Sequence, residues 1–483
     1  MPAITVSVRM GAPSETAADT RVVPLFEGET LDEPHLQSLV DLGEAKPGLK
    51  KVTVEHEDAP GGGRRRVLLA GLGKRDELEP EKARVAAAAV AGRAKELGAV
   101  SLSWASPDAG VAAALVEGTL LSLYSFERFK SKSDDQDDAG SIESLEIAGE
   151  GVDAVAVARA GATAAAQNAA RDLQNLPANV ANPAFLAGRA EEIAAQHDSL
   201  ELEVLDREEI VSRGMGAFAA VAQGSYAEPR LIVLRYTGGT DGPHLGFVGK
   251  AVTFDTGGIS LKPSGKMSEM KFDMSGGAVV LEAMDAIAAL GLPVTVTAVV
   301  PSTENMPSGR SMRPGDIVTA MNGKTIEINN TDAEGRLILA DALCYAVEQG
   351  AERLVDLATL TGAIITALGS TYAGLFSNDD DWCAQVEDAG KTTGELGWRL
   401  PFHPEFSELI KGKYADLDNA PEGRKASSIT AAEFLRNFVS EVPWVHIDIA
   451  GTAWDQGRPY VGKGASGYGV RTLVELARSA AAA

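Results

Sequence analysis

Apolar residues along the chain group into short runs typical of strands and longer periodic runs typical of helices. The two kinds alternate in the last two thirds of the sequence, with strand-like runs at 231–236, 294–300, 354–357 and 445–449 and helical patterns at 182–196, 336–348 and 431–438. Strands that alternate with helices favour an α/β domain built on a mainly parallel sheet. We predict that architecture for the larger part of the chain.

The first 150 residues show the same alternation more weakly. A strand-like run at 66–70 ends in a Gly-Leu-Gly turn, and an alanine-rich helix is predicted from Pro80 to about residue 97, because proline suits the first helical turn and alanine favours the helix. A second alanine-rich helix is predicted at 112–124. The turn lacks both the full dinucleotide fingerprint and the lysine-serine of a phosphate loop, so we interpret it as a plain connection.

A boundary between two domains is predicted after the first of these parts. The sequence SKSDDQDD at 131–138 has the composition of a charged, flexible loop, and an alanine-rich helical pattern follows at about 152–173. A chain of 483 residues is also too long to fold around one ordinary hydrophobic core. We predict a smaller N-terminal α/β domain (1–150), a linking helix (151–172) and a larger α/β domain with a mainly parallel central sheet (173–483).

Composition and charge narrow the class of protein. The chain is 45% hydrophobic and 23% charged, which is typical of globular proteins. No run of about 18 apolar residues is present, and the first residues lack a basic region followed by an apolar core, so neither a membrane span nor a secretion signal is expected. Two cysteines fit a reducing cytoplasm. A net charge of −24 argues against a general nucleic-acid-binding surface, since such surfaces are usually basic.

The octapeptide NTDAEGRL at 330–337 is the first candidate for chemistry. If this stretch is extended, Asp332 and Glu334 leave the backbone on the same side, with Arg336 pointing the same way. Two carboxylates beside a cation would form a metal-and-anion site. A polar turn with solvated carboxylates explains the same residues, and the octapeptide alone leaves both interpretations open.

A second segment, LGFVGKAVTFDTGGISLKPSGKMSEMKFDMSGG at 245–277, changes that balance. Lys250 and Asp255 follow strand-like runs, and Asp273 precedes a helical pattern at 277–290. Open α/β sheets build their sites outside the carboxyl ends of their strands. Together with Asp332 and Glu334, these residues are predicted to form a nest of oxygen and nitrogen donors for two divalent ions.

The donor types restrict the metal and its chemistry. Four carboxylates and one neutral amine suit hard or borderline cations such as Mn²⁺, Mg²⁺ or Zn²⁺. Lys250 must lose its proton to be a ligand, and adjacent cations would favour the neutral amine because like charges disfavour the ammonium form. Bound divalent ions also lower the pKa of water from about 15.7 to about 7, which supplies a nucleophile for hydrolysis.

Other hydrolase mechanisms have little support. None of the six histidines forms H-E-x-x-H, and no G-x-S-x-G elbow is present. We interpret His244 as an ordinary loop histidine, His446 as a satisfied core histidine on a buried strand, and Cys344 as a packing residue.

The segments VGKAVTFDTGGISLKP (248–263) and NNTDAEGRL (329–337) resemble the signature blocks of the leucyl aminopeptidase (cytosol aminopeptidase) family of dinuclear metallopeptidases. Further similar blocks lie at 171–179, 214–218 and 357–363. The similarity is dense over about 165–475 and loose over the first 150 residues, so the larger predicted domain would be the catalytic one.

The resemblance implies a role for each residue of the nest. Asp255 and Glu334 would bridge two metal ions, Mn or Zn. Lys250 and Asp273 would complete the shell of one ion, and Asp332 would complete the shell of the other.

The resemblance also implies catalytic and substrate-binding residues. Lys262 would polarise the scissile carbonyl and steady the oxyanion, and Arg336 would hold a bicarbonate that acts as general base. The pocket for the first side chain of the substrate would be lined by Met270, Thr359, Leu360 and Gly362, together with Gly451 and Trp454.

The function that the resemblance implies is release of N-terminal residues, preferably leucine-like ones, from peptide substrates by a cytoplasmic homohexamer. A narrower alternative is a dipeptidase acting on cysteinylglycine. An alternative from a different class is a DNA-binding architectural regulator, against which the acidic charge argues. A third is an inactive scaffold, which the complete set of seven site residues disfavours.

Overall fold

A computed structural model describes residues 4–131, 141–239, 242–423 and 425–481. The chain divides into two compact units, one of residues 1–168 with 457–462 and one of residues 169–456 with 463–483. Apart from residue 131, the predicted charged loop at 131–138 lies outside the described residues. The predicted domain bounds stay a prediction beside this division.

The N-terminal unit is built on a six-stranded sheet. Its strands are β1 (Thr5–Arg9), β2 (Thr20–Phe26), β3 (Val52–Asp58), β4 (Arg64–Gly73), β5 (Ser101–Ala105) and β6 (Ser144–Ala148). They lie in the order β1-β6-β5-β2-β4-β3, and every neighbouring pair is parallel except β3 and β4. The predicted strand at 66–70 is the centre of β4.

Helices pack on this sheet. The helices are α1 (Pro34–Asp41), α2 (Pro80–Glu96), α3 (Ala112–Ser122) and α4 (Ala154–Asn175), with short 3-10 helices at Pro13–Glu15, Arg75–Glu77 and Ala109–Val111. Of these, α2, α3 and α4 are alanine-rich and lie where the sequence predicts alanine-rich helices. Helices α2 and α3 approach closely at Gly118, where an added Cβ would lie 2.3 Å from the Arg84 carbonyl oxygen. Small side chains therefore allow the two helices to touch.

A segment from the far end of the chain completes the core of the N-terminal unit. Tyr460 and Val461 are buried in its hydrophobic core. The Tyr460 hydroxyl lies 3.0 Å from Glu81 Oε2, and Arg458 Nη1 donates to Glu81 Oε1 at 2.5 Å. Sequence patterns carry no signal for such a distant pairing, and it was not predicted.

The larger unit contains two sheets. Its strands are β7 (Leu200–Leu205), β8 (Arg230–Thr237), β9 (Leu245–Gly249), β10 (Ala251–Asp255), β11 (Thr295–Asn305), β12 (Ile317–Thr319), β13 (Thr325–Glu327), β14 (Arg353–Ala358), β15 (Ala373–Ser377), β16 (Gly397–Arg399), β17 (Leu417–Asp418) and β18 (Trp444–Asp448). The main sheet runs β16-β15-β18-β14-β9-β11-β8-β7, with β10 paired to β11, and the small sheet runs β12-β13-β17.

The centre of the main sheet is parallel. Strands β18, β14, β9 and β11 run in the same direction, and the antiparallel pairs lie toward the edges, at β15–β18, β11–β8 and β8–β7. The structure thus confirms the predicted mixed α/β class with a mostly parallel central sheet.

Helices cover the main sheet. They are α5 (Pro183–Gln196), α6 (Arg207–Ser212), α7 (Gly216–Ala222), α8 (Ser275–Ala289), α9 (Gly335–Glu348), α10 (Gly362–Leu368), α11 (Asp380–Thr393), α12 (Pro404–Leu409), α13 (Ser427–Arg436) and α14 (Val470–Ala480), with a 3-10 helix at Met267–Met274. Both α8 and α9 pack against β9 and β11. Strand β9 is buried at every residue, as expected where helices cover both faces. Among the described helices, none combines the length and apolarity that crossing a bilayer requires.

Candidate metal centre

One part of the site lies at the ends of strands β9 and β14, where helix α8 begins. Lys250 is the single residue between β9 and β10. An added Cβ at Gly249 would lie 2.5 Å from the Gly276 carbonyl oxygen, and one at Gly276 would lie 2.0 Å from the Leu357 carbonyl oxygen. These glycines let the first turn of α8 close onto the strand ends, which brings Asp273 beside Lys250.

Lys250 lies between two buried carboxylates. Its Nζ is 2.8 Å from Asp273 Oδ2 and 2.8 Å from Glu334 Oε1, and it donates a hydrogen bond to the Thr359 carbonyl oxygen at 3.1 Å. The side chain is 4% exposed. A Cβ at Gly335 would be 2.6 Å from Nζ, so the glycine after Glu334 makes room for the lysine.

Lys262 lies beside a different pair of carboxylates. Its Nζ is 2.7 Å from Asp255 Oδ2, and it also contacts Asp332 Oδ1. The chain between Asp255 and Lys262 folds back through Gly257 and Gly258, which have φ values of +87° and +65°. Glycine adopts this left-handed backbone without steric cost.

Hydrogen bonds lock the two sequence motifs together. The Thr331 hydroxyl donates to the Gly257 carbonyl oxygen at 2.6 Å and accepts from the Ser260 amide at 2.8 Å. In return, the Thr331 amide donates to Ser260 Oγ at 3.1 Å. The loop that carries Lys262 is thereby fixed to the segment that carries Asp332 and Glu334.

In Asp255 and in Asp273, one carboxylate oxygen is held by uncharged hydrogen-bond donors. Asp255 Oδ1 accepts from the Gly257 amide and from Asn305 Nδ2, both at 2.8 Å, and Asp273 Oδ1 accepts from the Thr359 hydroxyl at 2.7 Å. The second oxygen of each aspartate faces a lysine. This arrangement leaves one oriented oxygen per carboxylate for a cation.

The residues present fit a metal site. Asp255, Asp273 and Glu334 are buried, and each offers one oxygen atom within 4.8 Å of the others. With Lys250 and Asp332 at the same place, the donors are the oxygens and nitrogen that Mn²⁺, Mg²⁺ and Zn²⁺ accept.

Burial and neighbouring charges shift the pKa values at the site. Burial, with the charge of Glu334, raises the pKa of Asp255 to about 6 and raises the pKa of Asp273 well above its ordinary value. Burial also acts to raise the pKa of Glu334, but the ammonium groups of Lys250 and Lys262 hold it below its ordinary value.

The lysines respond to the same charges in the opposite sense. Burial would lower the pKa values of Lys250 and Lys262, but the surrounding carboxylates raise both. With the charges of the chain alone, the two ammonium groups act as counter-ions of the carboxylates. A cation at the site would reverse the local charge and favour the neutral amine of Lys250.

Arg336, the second residue of α9, is buried next to the carboxylates. Its Nη1 donates to the Asn419 carbonyl oxygen at 2.6 Å, and within the described part of the chain Nε has no hydrogen-bond acceptor. Burial lowers the pKa of Arg336 to about 10, although Glu334 and Asp418 oppose that shift. A buried guanidinium with donors to spare suits a small anion.

A cleft of about 750 Å³ opens over these groups. Its lining includes Lys262, Asp332 and Arg336 and continues along Leu360, Thr361 and Gly362 to Ala420–Glu422, Lys425 and Ser427. The predicted catalytic residues therefore share a cavity with the predicted substrate-binding residues Leu360 and Gly362.

The remaining predicted substrate-binding residues lie around the carboxylates. Thr359 bonds to Asp273, and Met270 is half-buried on the 3-10 helix that leads to Asp273. Trp454 stacks on Phe272, with ring centroids 5.2 Å apart. Their role toward a substrate stays a prediction.

Of the two conformations left open for the octapeptide at 330–337, the structure shows the turn. The stretch around Asp332 and Glu334 is not extended: residues 331–332 form a turn, and Glu334 has the helical φ and ψ of −75° and −36° that begin α9. Alternation along a strand therefore does not explain why the two carboxylates share the site. The turn and the start of the helix bring them there.

The histidines and Cys344 lie outside the carboxylate cluster. His244 Nε2 is 2.8 Å from the Thr297 hydroxyl. His446 is fully buried and bonds through Nδ1 to Asp356 at 2.6 Å, but its Nε2 has no hydrogen-bond partner in the described residues, so it is only half satisfied. Cys344 packs against the core of the larger unit.

Sequence reasoning missed the residues that orient the site from a distance. Asn305, at the end of β11, and Asn419, after β17, hold Asp255 and Arg336. Ser260 and Thr331 lie within the motifs but were given no role. The position of Asn305 at a strand end is the one available signal, since strand ends are where such sheets build their sites. Fold and site together are those of a metal-dependent hydrolase.

Comparisons with known proteins agree with this class. A model of the catalytic domain of the cytosol aminopeptidase family matches residues 168–474, and a model of the N-terminal domain of that family matches residues 13–133. A probable cytosol aminopeptidase of Solibacter usitatus is 47% identical over 468 residues, which cover 95% of this chain and 96% of that protein. One of Cenarchaeum symbiosum is 45% identical over 454 residues, 92% of each.

A solved structure is similar over nearly the whole chain. The bottromycin maturation enzyme BotP in complex with Mn has a TM-score of 0.85 and 35% sequence identity, and the match covers 96% of this chain and all of that one. The chain therefore belongs to the cytosol aminopeptidase family. It is a metal-dependent aminopeptidase, a peptidase among the hydrolases.

Proposed function

We propose that the protein is a dinuclear aminopeptidase that releases leucine-like N-terminal residues from peptides. The observation that carries this proposal is the convergence of Asp255, Asp273 and Glu334 within 4.8 Å, beside Lys250 and next to Lys262, which lines the cleft. Four carboxylates at one place can bridge as well as chelate, which suits two cations that each keep positions open for water and substrate.

The cations would be held by Lys250, Asp255, Asp273, Asp332 and Glu334. Two divalent ions held there would lower the pKa of a bound water and so supply a nucleophile. We propose Mn or Zn, and the Mn in the structure of BotP supports the former. The hydrogen bonds to Oδ1 of Asp255 and of Asp273 would hold these two carboxylates in position, so they would bind the cations without rearrangement.

Lys262 and Arg336 would perform the remaining steps. Lys262 lies at the cleft beside Asp255 and Asp332, and its ammonium group would donate to a developing oxyanion. Arg336 would hold a bicarbonate, and this anion would supply the general base for the attacking water. The Nε of the guanidinium, which has no acceptor among the described residues, supports this role.

Specificity for leucine-like residues would come from an apolar wall beside the carboxylates. Met270 and Trp454 offer it, and Thr359, Leu360 and Gly362 would present backbone groups to the peptide. The metal centre that cleaves the peptide bond would also bind the free α-amine of the substrate. Cleavage would therefore be restricted to the first residue.

A substrate panel tests this proposal. The purified Mn²⁺-loaded protein is assayed on chromogenic amides of leucine, methionine and aspartate, on N-acetyl-leucine amide, and on cysteinylglycine. We expect leucine and methionine amides to be cleaved fastest and the acetylated amide to resist cleavage, since its amine is blocked. Fastest cleavage of cysteinylglycine would favour the dipeptidase alternative, and cleavage of the acetylated amide would contradict an aminopeptidase.

The assembly and the location are also proposals. By resemblance to the family, we propose a cytoplasmic homohexamer. Since the chain has a mass of 50.3 kDa, sedimentation equilibrium should give about 300 kDa for a closed assembly of six copies. A mass near that of one chain would contradict the hexamer.

A further inference from the structure

Asp448 is a buried carboxylate to which the family resemblance gives no role. It is the last residue of β18, and its Cα pairs with that of Ala358, the last residue of β14. Its side chain is fully buried. A buried charged group is costly unless hydrogen bonds satisfy it, so the partners of Asp448 show what it holds in place.

One oxygen of Asp448 gathers three backbone amides. Asp448 Oδ1 accepts hydrogen bonds from Leu360 N at 3.1 Å, Thr361 N at 3.4 Å and Ala450 N at 3.2 Å. Two successive amides can point at one acceptor only where the chain turns around it. This oxygen therefore fixes the direction in which the segment 359–361 leaves β14.

The other oxygen fixes the hydroxyl of Thr361. Asp448 Oδ2 accepts from Thr361 Oγ1 at 2.6 Å, and Thr361 Oγ1 is also 2.6 Å from Ser428 Oγ. A hydroxyl has one proton. If the proton of Thr361 goes to the carboxylate, Ser428 must donate to Thr361, so the carboxylate sets the polarity of this chain of hydrogen bonds.

The segment held in this way also holds two of the proposed metal ligands. The carbonyl oxygen of Thr359 accepts from Lys250 Nζ at 3.1 Å, and the Thr359 hydroxyl donates to Asp273 Oδ1 at 2.7 Å. The next residues, Leu360 and Thr361, line the cleft. Asp448 thus acts on both the carboxylate cluster and the wall of the cleft through two peptide units.

We propose that Asp448 is a positioning residue of the aminopeptidase site, which acts by fixing the segment 359–361. The segment in turn orients Lys250 and Asp273 through Thr359. The inference rests on the proposed two-cation site. Mutation of a residue that orients a metal ligand typically lowers metal affinity or activity about 10–100-fold. Mutation of a residue that only stabilises the fold changes the melting temperature alone.

The test uses the Asp448→Asn variant of the full-length protein. The substitution preserves volume and one acceptor oxygen, but the new amide group cannot accept the Thr361 hydroxyl. Mn²⁺ is titrated into chelated wild-type and variant protein, and kcat and KM for leucine amide are measured at saturating Mn²⁺. We expect the Mn²⁺ dissociation constant to rise about 10–100-fold and kcat to fall at saturating metal.

A pair of substitutions at Thr361 tests the same contact without changing charge. Thr361→Val removes the hydroxyl that bonds to Asp448, and Thr361→Ser retains it. We expect the valine substitution to weaken Mn²⁺ binding in the same direction as Asp448→Asn, and the serine substitution to restore it to within about twofold of wild type. This pair also decides the question if Asp448→Asn does not fold.

Asp356→Asn is the matched control. Asp356 is an equally buried aspartate on β14 that bonds to Trp444 and His446 instead of the segment 359–361. It should lower the melting temperature but leave the Mn²⁺ affinity of the folded protein within about twofold of wild type.

Two results would overturn the inference. One is wild-type Mn²⁺ affinity and kcat in folded Asp448→Asn. The other is an equal loss in Asp356→Asn, in proportion to its loss of stability. If the wild-type protein binds Mn²⁺ but cleaves no peptide, the proposed function fails, and the Mn²⁺ affinities still decide the role of Asp448.

Discussion

At the scale of single residues, Lys262 and Lys425 line the same cleft in different surroundings. Lys262 contacts Asp255 and Asp332 at the carboxylate cluster, whereas Lys425 is an exposed residue farther along the cleft wall. Lys250, the third lysine of this region, is buried between Asp273 and Glu334. These surroundings predict that Lys262 is the oxyanion donor, that Lys425 is a surface charge and that Lys250 is a metal ligand.

The Lys262→Met substitution separates the role of oxyanion donor from that of metal ligand. Loss of one preorganised donor costs about 10²–10³-fold in kcat, and we expect a decrease of that size for leucine amide. Mn²⁺ affinity should not decrease, since a neighbouring positive charge has been removed. Steady-state kinetics with metal analysis of the same sample measures both quantities.

The matched control for this prediction is Lys425→Met, which removes a lysine of the same cleft away from the carboxylates. It should change kcat by no more than about twofold. Full activity of Lys262→Met, or loss of its metal, would show that the role assigned to Lys262 is wrong.

Sequence reasoning at this scale reached the residues that lie in motifs. Lys250, Asp255 and Asp273 were predicted from their places after strands and before a helix, and Asp332 and Glu334 from their spacing. Residues such as Asn305 and Asp448 contact the site from other strands, and only the three-dimensional pairing of those strands shows it.

At the scale of elements, helix α9 connects the site to the core of the larger unit. It begins directly after Glu334 and carries Arg336 in its first turn. Farther along, the Asp341 carboxylate accepts hydrogen bonds from the Phe218 and Met321 amides, both at 2.8 Å. One helix therefore fixes the site, α7 and the small sheet together.

Gly335→Ala tests the close fit between α9 and Lys250. The new Cβ would lie 2.6–2.9 Å from the Nζ, Cε and Cδ atoms of Lys250, so the lysine must leave its place between Asp273 and Glu334. We expect Mn²⁺ affinity to fall by about tenfold or more, measured by titration of chelated protein.

The control for this substitution is Gly188→Ala in α5, where an added Cβ meets no atom within 4 Å. Alanine is favoured over glycine inside a helix by about 0.5–1 kcal/mol, so this variant should melt slightly higher with unchanged Mn²⁺ affinity. Wild-type Mn²⁺ affinity in Gly335→Ala would contradict the ligand role of Lys250.

Asp341 gives α9 a pH dependence. Burial raises its pKa to about 7, whereas an unfolded chain has about 3.9. The folded protein therefore retains a proton that the unfolded chain loses, so the stabilising contribution is complete below pH 4 and is lost as the pH rises through 7. The Asp341→Asn variant does not titrate there.

The expected result is that the melting temperature of wild type falls relative to Asp341→Asn as the pH rises from 5 to 7.5. The corresponding free-energy change is at most about 1.4 kcal/mol per pH unit. Thermal melts of both proteins at several pH values measure it. A constant difference between the two melting temperatures would mean that Asp341 is ionised throughout.

Element prediction succeeded where the pattern is long and periodic. Helices α2, α5 and α9 and strands β8, β14 and β18 lie within a few residues of their predicted positions. The strands β7, β15 and β16 and the small sheet of β12, β13 and β17 were not predicted, because runs of two to six residues are too short to show a clear alternation. The sequence left both an extended segment and a turn open at 330–337, since local spacing cannot separate the two, and the structure has a turn at 331–332.

At the scale of the whole molecule, the negative net charge argues against the DNA-binding regulator. The chain carries 68 acidic and 44 basic residues, and affinity for DNA depends on cations that neutralise phosphates. We predict no shift of duplex DNA by micromolar protein at 0.15 M salt in a gel mobility assay. A shifted band that persists above 0.2 M salt would revive the DNA-binding alternative.

The organisation of the chain was predictable only in outline. A charged stretch and an alanine-rich helix indicated two domains, and α4 does run across residue 168, where the two units meet in sequence. The return of 457–462 to the core of the N-terminal unit was not predictable, because Tyr460 and Val461 look like any short apolar pair in a loop.

The central claim is that buried carboxylates bind the cations that hydrolyse the peptide bond. Hydrolysis of leucine chromogenic amide tests it most directly, with wild type as purified, after chelation and after return of Mn²⁺ or Zn²⁺. Glu334→Ala is measured beside it, with Glu348→Ala at the exposed end of the same helix as control.

We predict that activity is lost on chelation, restored by metal and unaffected by Glu348→Ala, and that Glu334→Ala is inactive under every condition although it folds. Glu334→Ala that cleaves as fast as wild type would contradict the assignment of the site. Folded wild-type protein that is inactive with every metal would contradict the aminopeptidase itself.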